Sequence, residues 1–420
     1  MIEPRVLFEA IFSAAVKAAD PGETIVRHLP RPPKGRTIVI GAGKGSAQMA
    51  RALERVWDGA LEGVVVTRYG YGAPCDRIEV LEAAHPVPDE AGREAARRLV
   101  EAVFGLTRDD LVIALVSGGG SALLPAPGGD LTLADEIAVN EALLASGAPI
   151  SAMNAVRKHV SAVKGGRLAA AAHPARVVSL IVSDIPGDMP ALVSSGPTVP
   201  DGSTRQDALA VVGRYGLDLP EAVMKHLASA AADAPRPDDP VFQGHEVHVI
   251  ASAARSLEAA AQAARGLGVE AVILSDAIEG EASEVAKVHA AIAREVVLHG
   301  RPFRRPVLML SGGETTVTIR GKGGRGGRNT EFLLSLALGI EGIEGVHAFA
   351  ADTDGIDGSQ DNAGAFADFT TVTRLHDKGL DAGSLLAGHD AWTAFDRLGD
   401  LFTPGPTGTN VNDLRAIWVR

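Results

Sequence analysis

The chain has 420 residues, 46% of them hydrophobic, enough for two α/β domains; aromatics are only 4%, so the core must rest on Val, Leu, Ile and Ala. With 40 basic against 52 acidic residues the net charge is −12, which excludes nucleic acid as a general partner and requires any bound anion to be held by a local cluster. The single cysteine, Cys75, permits no internal disulfide and suits a reducing compartment. No run of about 18 apolar residues occurs, so no membrane span is expected. The N-terminal Met1-Ile-Glu-Pro-Arg-Val lacks the basic start of a signal peptide. A cytoplasmic protein is expected.

An amphipathic helix is predicted over 6–19. Thr37-Ile-Val-Ile then reads as a strand that runs into Gly41-Ala-Gly-Lys-Gly-Ser46, a helix through Met49 and Leu53, and a second strand at 63–67. This is a βαβ unit. Its loop is neither a Walker A motif nor Gly-x-Gly-x-x-Gly, since position 46 is Ser. Lys44 is the notable residue, a cation in the middle of a glycine turn. After a helix at 89–103, the apolar run 110–116 reads as a buried parallel strand. It ends in Ser117-Gly-Gly-Gly-Ser121, a second glycine loop.

Helices are predicted over 131–146 and 151–172. The latter carries Asn154, Arg157, Lys158, His159, Lys164 and Arg167, a basic cluster that favours an anion site in an acidic protein. A third buried strand, 176–182, ends in Ser183-Asp-Ile-Pro-Gly-Asp188. Carboxylates at a strand's carboxyl end suit a metal or hydroxyl role. Helices follow at 204–215 and 219–232. The stretch 231–240 holds three prolines and three aspartates and reads as a linker. The expected domains are 1–235 and 236–420.

The second half repeats the alternation, with strands at 246–250 and 270–274 and helices at 253–266 and 280–299. Strand 306–310 ends in a third glycine loop, Ser311-Gly-Gly-Glu314. Thr315-Thr-Val-Thr-Ile319 follows too closely for a crossover helix, which predicts a hairpin and a mixed sheet. The stretch 321–331 (Gly-Lys-Gly-Gly-Arg-Gly-Gly-Arg-Asn-Thr-Glu) combines five glycines with Lys322, Arg325 and Arg328, then enters a helix at 329–339. Little Cβ bulk, a helix start and fixed charges make a phosphate cradle. Strand 346–350 leads into Asp352, Asp354 and Asp357, which lack the EF-hand spacing but suit a divalent metal. A helix at 390–398, a loop containing Asn410 and a last strand at 414–419 close the chain. No His-Glu-x-x-His or Gly-x-Ser-x-Gly is present, which argues against a zinc enzyme or a serine hydrolase.

Gly41-Ala-Gly-Lys-Gly-Ser46, Ser117-Gly-Gly-Gly-Ser-Ala122, Asn154-Ala-Val-Arg-Lys-His159 with Lys164-Gly-Gly-Arg167, Ser183-Asp-Ile-Pro-Gly-Asp188, Ser311-Gly-Gly-Glu314, Gly327-Arg-Asn-Thr-Glu331, Asp352-Thr-Asp-Gly355 and Gly408-Thr-Asn-Val-Asn-Asp413 occur in this order. Together they resemble the bacterial glycerate 2-kinase family with its MOFRL-type C-terminal domain, whose members are often called hydroxypyruvate reductases. The resemblance covers about residues 5–415, and Thr330 stands where other members often have Gln. It implies a larger α/β domain with a Rossmann-like doubly wound parallel sheet. A smaller α/β domain with a mixed sheet follows, with the active site in the cleft between.

It also implies ATP- and Mg2+-dependent phosphorylation of D-glycerate on its 2-hydroxyl, with the residues at Lys44 and Arg328 catalytic. With those two placed at the moving phosphoryl group, the expected nucleotide contacts are Gly43, Ser117, Gly118, Gly119, Gly120, Ser121, Lys158, Gly312, Gly313, Glu314, Gly326, Gly327 and Asn329. Asn154, Arg157 and Asn410 are expected at the substrate. Asp184, Asp188, Asp352 or Asp354 would hold Mg2+ or orient the acceptor hydroxyl. A monomer or homodimer is expected, with no membrane or nucleic-acid partner. The rival enzyme is an NAD(P)-dependent hydroxypyruvate reductase; against it, Arg68 follows the second strand where an acidic ribose contact belongs. A non-catalytic nucleotide or sugar-acid sensor is the other alternative.

Overall fold

The computed structural model describes residues 2–319, 321 and 323–420; Lys322 lies outside them. The chain divides into two compact units, Pro21–Ile250 and a second made of Ala251–Arg420 with the N-terminal residues up to Asp20.

The first unit is built on strands β1 (Thr37–Ala42), β2 (Glu62–Arg68), β3 (Ile78–Ala83), β4 (Leu111–Ser117), β5 (Arg176–Val182) and β6 (Glu246–Ala251), in the order β3-β2-β1-β4-β5-β6. Strands β1 to β5 are parallel. This is the doubly wound order, and its switch point lies between β1 and β4, where ligands of such sheets bind beyond the carboxyl ends. Ile38, Ile40, Val64 and Val66 share one apolar face with Ala95, Ala96 and Leu99 of the helix Glu90–Val103. Val39 and Val65, one residue out of phase, are buried on the other.

Strand β3 was not among the predicted strands. Its sequence, Ile-Glu-Val-Leu-Glu-Ala, forms the sheet edge and carries charge, so it lacks the apolar run of its neighbours. The single helix predicted over 151–172 is two helices, Ile150–His159 and Arg167–Ala171. The break lies at Gly165 and Gly166, both in the left-handed region that ends helices. The predicted linker 231–240 is part of this unit. Ala232 is fully buried, and the Arg167 guanidinium donates to the carbonyls of Ala232 and Asp233. The unit boundary therefore differs from the expected 235/236, because β6 completes the first sheet.

The second unit contains β7 (Ala271–Ser275), β8 (Gly280–Glu281), β9 (Val307–Ser311), β10 (Thr315–Thr316), β11 (Val346–Asp352), β12 (Gly364–Asp368), β13 (Leu401–Phe402) and β14 (Asp413–Val419). Its six-stranded sheet runs β13-β12-β11-β14-β9-β7. Only β7–β9 is parallel, so the sheet is mixed as expected. The expected hairpin is absent. β9 pairs with β14 and β7, and β10 pairs in parallel with β8 in a separate two-stranded sheet. The cause is the turn at Gly313 (φ +104), whose carbonyl accepts from the Asp413 N–H and where a Cβ would strike the backbone of Ile278.

Helices cover both faces. Ala282–His299, Arg328–Ile340 and Ala391–Leu398 share one core. Ala253–Gly266 and the N-terminal helix Pro4–Ala18 share the other, with Phe8 stacked on Phe349 at 5.7 Å between ring centroids. Burying Leu7, Phe8, Ile11 and Phe12 stabilises by about 1.5–3 kcal/mol each, which ties the start of the chain to its last 170 residues' unit. Among the described residues no helix is long and apolar enough to cross a membrane.

Candidate active site

At the switch point of the first sheet, the turns after β1 and β4 are laced together. The Lys44 N–H donates to the Gly118 carbonyl (2.8 Å) and the Gly45 N–H to Ser117 Oγ (2.9 Å). The N–H groups of Gly43 and Ser46 go to the carbonyls of Val66 and Gly43. A Cβ on Gly43 would collide with Ser117. The first glycine loop is therefore not an anion cradle. Its donors are internally satisfied, and Gly43 serves the close approach of two turns. What the loop presents is the Lys44 side chain, which lies against Gly119 and His85. Among the described residues no carboxylate pairs with its ammonium.

The β4 turn is held from below. Ser194 Oγ donates to the Ser117 carbonyl (2.5 Å) and accepts from the Gly120 N–H (3.0 Å). Ser121 Oγ lies 2.8 Å from Ser195 Oγ, which donates to Asn154; Asn154 donates to the Leu192 carbonyl. Ser194 and Ser195 have φ of +52 and +60, positions that non-glycine residues adopt only when surroundings hold them there. Asn154 thus buttresses the turn. The Asp184 carboxylate lies directly against Gly118, and Asp188 sits in the left-handed region at φ +50.

The basic cluster resolves into different roles. Buried Lys158 pairs with Asp201, and buried Lys164 with Glu136. Burial lowers the Lys158 pKa, with Asp201 opposing. Arg157 differs: Nε donates to Asn140 Oδ1 (2.8 Å), and among the described residues no carboxylate pairs with it. Burial lowers its pKa as well, with the nearby Glu136 carboxylate opposing. It keeps donors for an external anion.

In the second unit Arg328 opens the helix Arg328–Ile340. Its guanidinium meets three carboxylates: Nε to Asp413 (2.8 Å), one terminal nitrogen to Glu314 (2.8 Å) and the other to Asp352 (2.6 Å). Burial alone would lower its pKa, but Asp413, Asp352 and Glu314 together raise it. Burial raises the Asp352 carboxyl well above the usual range, with Arg328 opposing and Asp413 and Asp354 adding to the rise. Asp413 also accepts from Arg415, which is fully buried, and from Asn329.

Asn329 is itself buried and holds this network in place. Asp357 is not on the surface of the acidic loop. It accepts from the N–H groups of Asn329 and Thr330 (2.9 Å each) and so caps the helix start. Asp354 Oδ1 accepts from its own loop at Ile356, and Asn410 Oδ1 from Asn412. The Gly312 N–H goes to the Ser275 carbonyl. Around Gly326 and Gly327 the loop docks on the helix Ala391–Leu398, the Trp392 N–H donating to the Arg325 carbonyl and Arg325 stacked over the Trp392 ring at 4.1 Å.

His85, Ser194 and Asp413 were given no role from sequence. Burial, Lys44 and Arg68 push the His85 pKa down to about 4. Only the quoted motif around Asp413 signalled any of them.

The chain matches the domain of unknown function DUF4147 over residues 7–228 and the MOFRL family over residues 307–413. It is 40% identical to the glycerate 2-kinase of Pyrococcus horikoshii, over 95% of this chain and 94% of that protein. The glycerate kinase structure from Thermotoga maritima superposes with a TM-score of 0.89 at 38% identity, covering 99% of both chains. The chain belongs to the glycerate kinase family. A 51% identical relative from Agrobacterium vitis, covered over 100% of this chain and 95% of its own, carries the name putative hydroxypyruvate reductase. Both names thus occur among relatives of this glycerate kinase family member.

Proposed function

We propose that this chain is an ATP-dependent D-glycerate 2-kinase. The observation that carries the reading is Lys44: an ammonium without a carboxylate partner among the described residues, on a loop whose N–H groups are all occupied, at the sheet's switch point. Phosphoryl transfer needs chiefly positioning and charge stabilisation. In this reading O2 of the glycerate hydroxyl attacks the γ-phosphorus and releases its proton to solvent, the bond to the β–γ bridging oxygen breaks, and ADP leaves. Lys44 and Arg328 stabilise the transferring charge. The 117–121 turn contacts phosphate oxygens, and Arg157 meets the glycerate carboxylate.

In this reading Mg2+ is held by few protein carboxylates. Among the described residues no three His, Cys, Asp or Glu side chains form a metal set, and Mg2+ characteristically takes only one or two carboxylates besides substrate phosphates. Asp184 or Asp188 in one unit, or Asp352 or Asp354 in the other, would hold it, and when bound it neutralises phosphate charge.

The reductase reading fares worse. A dinucleotide pyrophosphate needs free N–H groups at the first glycine turn, and these are occupied. The β2 strand also ends in Arg68, its guanidinium 3.5 Å over the Tyr71 ring, where a ribose carboxylate belongs.

Lys44→Ala tests the reading. ATP turnover with D-glycerate should fall about 10²–10³-fold with an unchanged circular dichroism spectrum, the scale expected for removing one transition-state donor. Near-normal turnover would remove Lys44 from the mechanism.

A further inference from the structure

His85 follows β3 at the carboxyl end of the first sheet, on the stretch that leads into the helix Glu90–Val103. That stretch is pinned at its far end. Asp89 accepts from the Gly92 N–H (3.0 Å), which caps the helix, and from the Tyr69 hydroxyl (2.7 Å) just beyond β2. The imidazole is brought against the turn after β4. A Cβ placed on Gly119 would meet His85 Nε2 at 3.1 Å and Lys44 Cε at the same distance. An imidazole nitrogen and the stem of Lys44 therefore converge on one glycine of the turn to which the kinase reading assigns phosphate contacts.

His85 is half-buried, and among the described residues neither of its ring nitrogens has a hydrogen-bond partner. The charged groups that act on it are Lys44 and Arg68, both cations, and together with burial they push its pKa down to about 4. At neutral pH the ring is uncharged. No partner fixes its tautomer, so Nε2 is able to accept a proton. A base of this strength suffices for phosphoryl transfer, because the aspartate that takes the hydroxyl proton in protein kinases has an ordinary pKa of about 3.9. Phosphate oxygens arriving beside Lys44 and Arg68 offset the two charges that hold the ring neutral, so its proton affinity rises as the substrates bind.

We propose that His85 is the general base of this site, its Nε2 taking the proton from the 2-hydroxyl of glycerate. The assignment rests on the kinase reading. As the bond between O2 and the γ-phosphorus forms, the O–H bond breaks. Its electron pair stays on O2 and its proton passes to Nε2. The bond from phosphorus to the β–γ bridging oxygen breaks, and ADP leaves with that electron pair. The imidazolium then releases the proton to water, a step that repulsion from Lys44 and Arg68 favours.

The test is phosphoglycerate formation by the full-length protein at saturating ATP, Mg2+ and D-glycerate. His85→Ala should lower kcat about 10²-fold, the low end for general base catalysis, with the KM for ATP and the circular dichroism spectrum unchanged. Added imidazole should restore part of that loss, and 4-methylimidazole, the stronger base, should restore more, because proton transfer follows basicity. His85→Asn keeps a polar side chain but takes up no proton, and should be as slow as His85→Ala. A residue that only positioned Lys44 would be replaced by Asn, and its loss would not respond to the basicity of an added amine. With an active wild type, near-normal kcat in either variant would overturn the proposal and leave the kinase reading standing, as would a loss in His85→Ala that neither imidazole repairs. Wild type that forms no phosphoglycerate would overturn the kinase reading and the proposal with it.

Discussion

Lys44 and Arg328 are both cations on glycine-flanked turns, yet their company differs. Lys44 has no acidic partner among the described residues, whereas Arg328 is clamped by Asp352, Asp413 and Glu314. The arginine is thus a structural tie as well as a proposed catalytic group. Removing one member of a buried ion-pair network leaves uncompensated charge, which typically costs about 3–5 kcal/mol. Arg328→Ala should therefore lower the unfolding free energy by about that amount in urea titration, in addition to lowering turnover. Asp413 keeps Arg415 and Asn329 and Glu314 is exposed to water, so the buried carboxylate left without its cation is Asp352, which would take up a proton. A variant as stable as wild type would show that the clamp carries no net stability. Arg328 itself was readable from its place at a helix start after glycines. Its partners were not: Asp413 lies 85 residues further along, and no local pattern reports a contact of that separation.

At the scale of elements, the helix Arg328–Ile340 shows how the proposed catalytic side chain is aimed. Gly327 precedes it and has no side chain to cap it, so the cap comes from Asp357 in the loop after β11. Each buried N–H left without a partner costs about 1–3 kcal/mol. Asp357→Ala should destabilise by about 2–4 kcal/mol in chemical denaturation, because two such groups lose their acceptor. Turnover should fall with it, since the helix start sets the Arg328 position. Unchanged stability would mean water replaces the cap. The strands of the first sheet could be read because parallel strands buried on both faces are apolar runs. β12, Gly-Ala-Phe-Ala-Asp, could not, since its small residues carry weak strand preference and its place is set by pairing with β11. The hairpin expected at 306–319 failed because the short spacing between two strands does not oblige them to pair; the Gly313 turn sends the chain to β8 instead.

For the molecule as a whole, the acidic net charge and the cationic groups at the sites are compatible because charge is managed locally. Lys158, Lys164 and Arg328 are each matched by carboxylates, while Lys44 and Arg157 form no ion pair among the described residues, Glu136 acting on Arg157 only at longer range. That division could not be read from composition, which counts charges without their partners. The order of glycine loops along the chain could be read, and it led to the family. The family's relatives carry both kinase and reductase names, so the chemistry itself decides. The most direct measurement is NMR identification of the product after incubating the protein with D-glycerate, MgCl2 and ATP, with NADH and hydroxypyruvate in a parallel sample. The account predicts 2-phosphoglycerate with stoichiometric ADP and no NADH oxidation; NADH oxidation without ADP formation would contradict it.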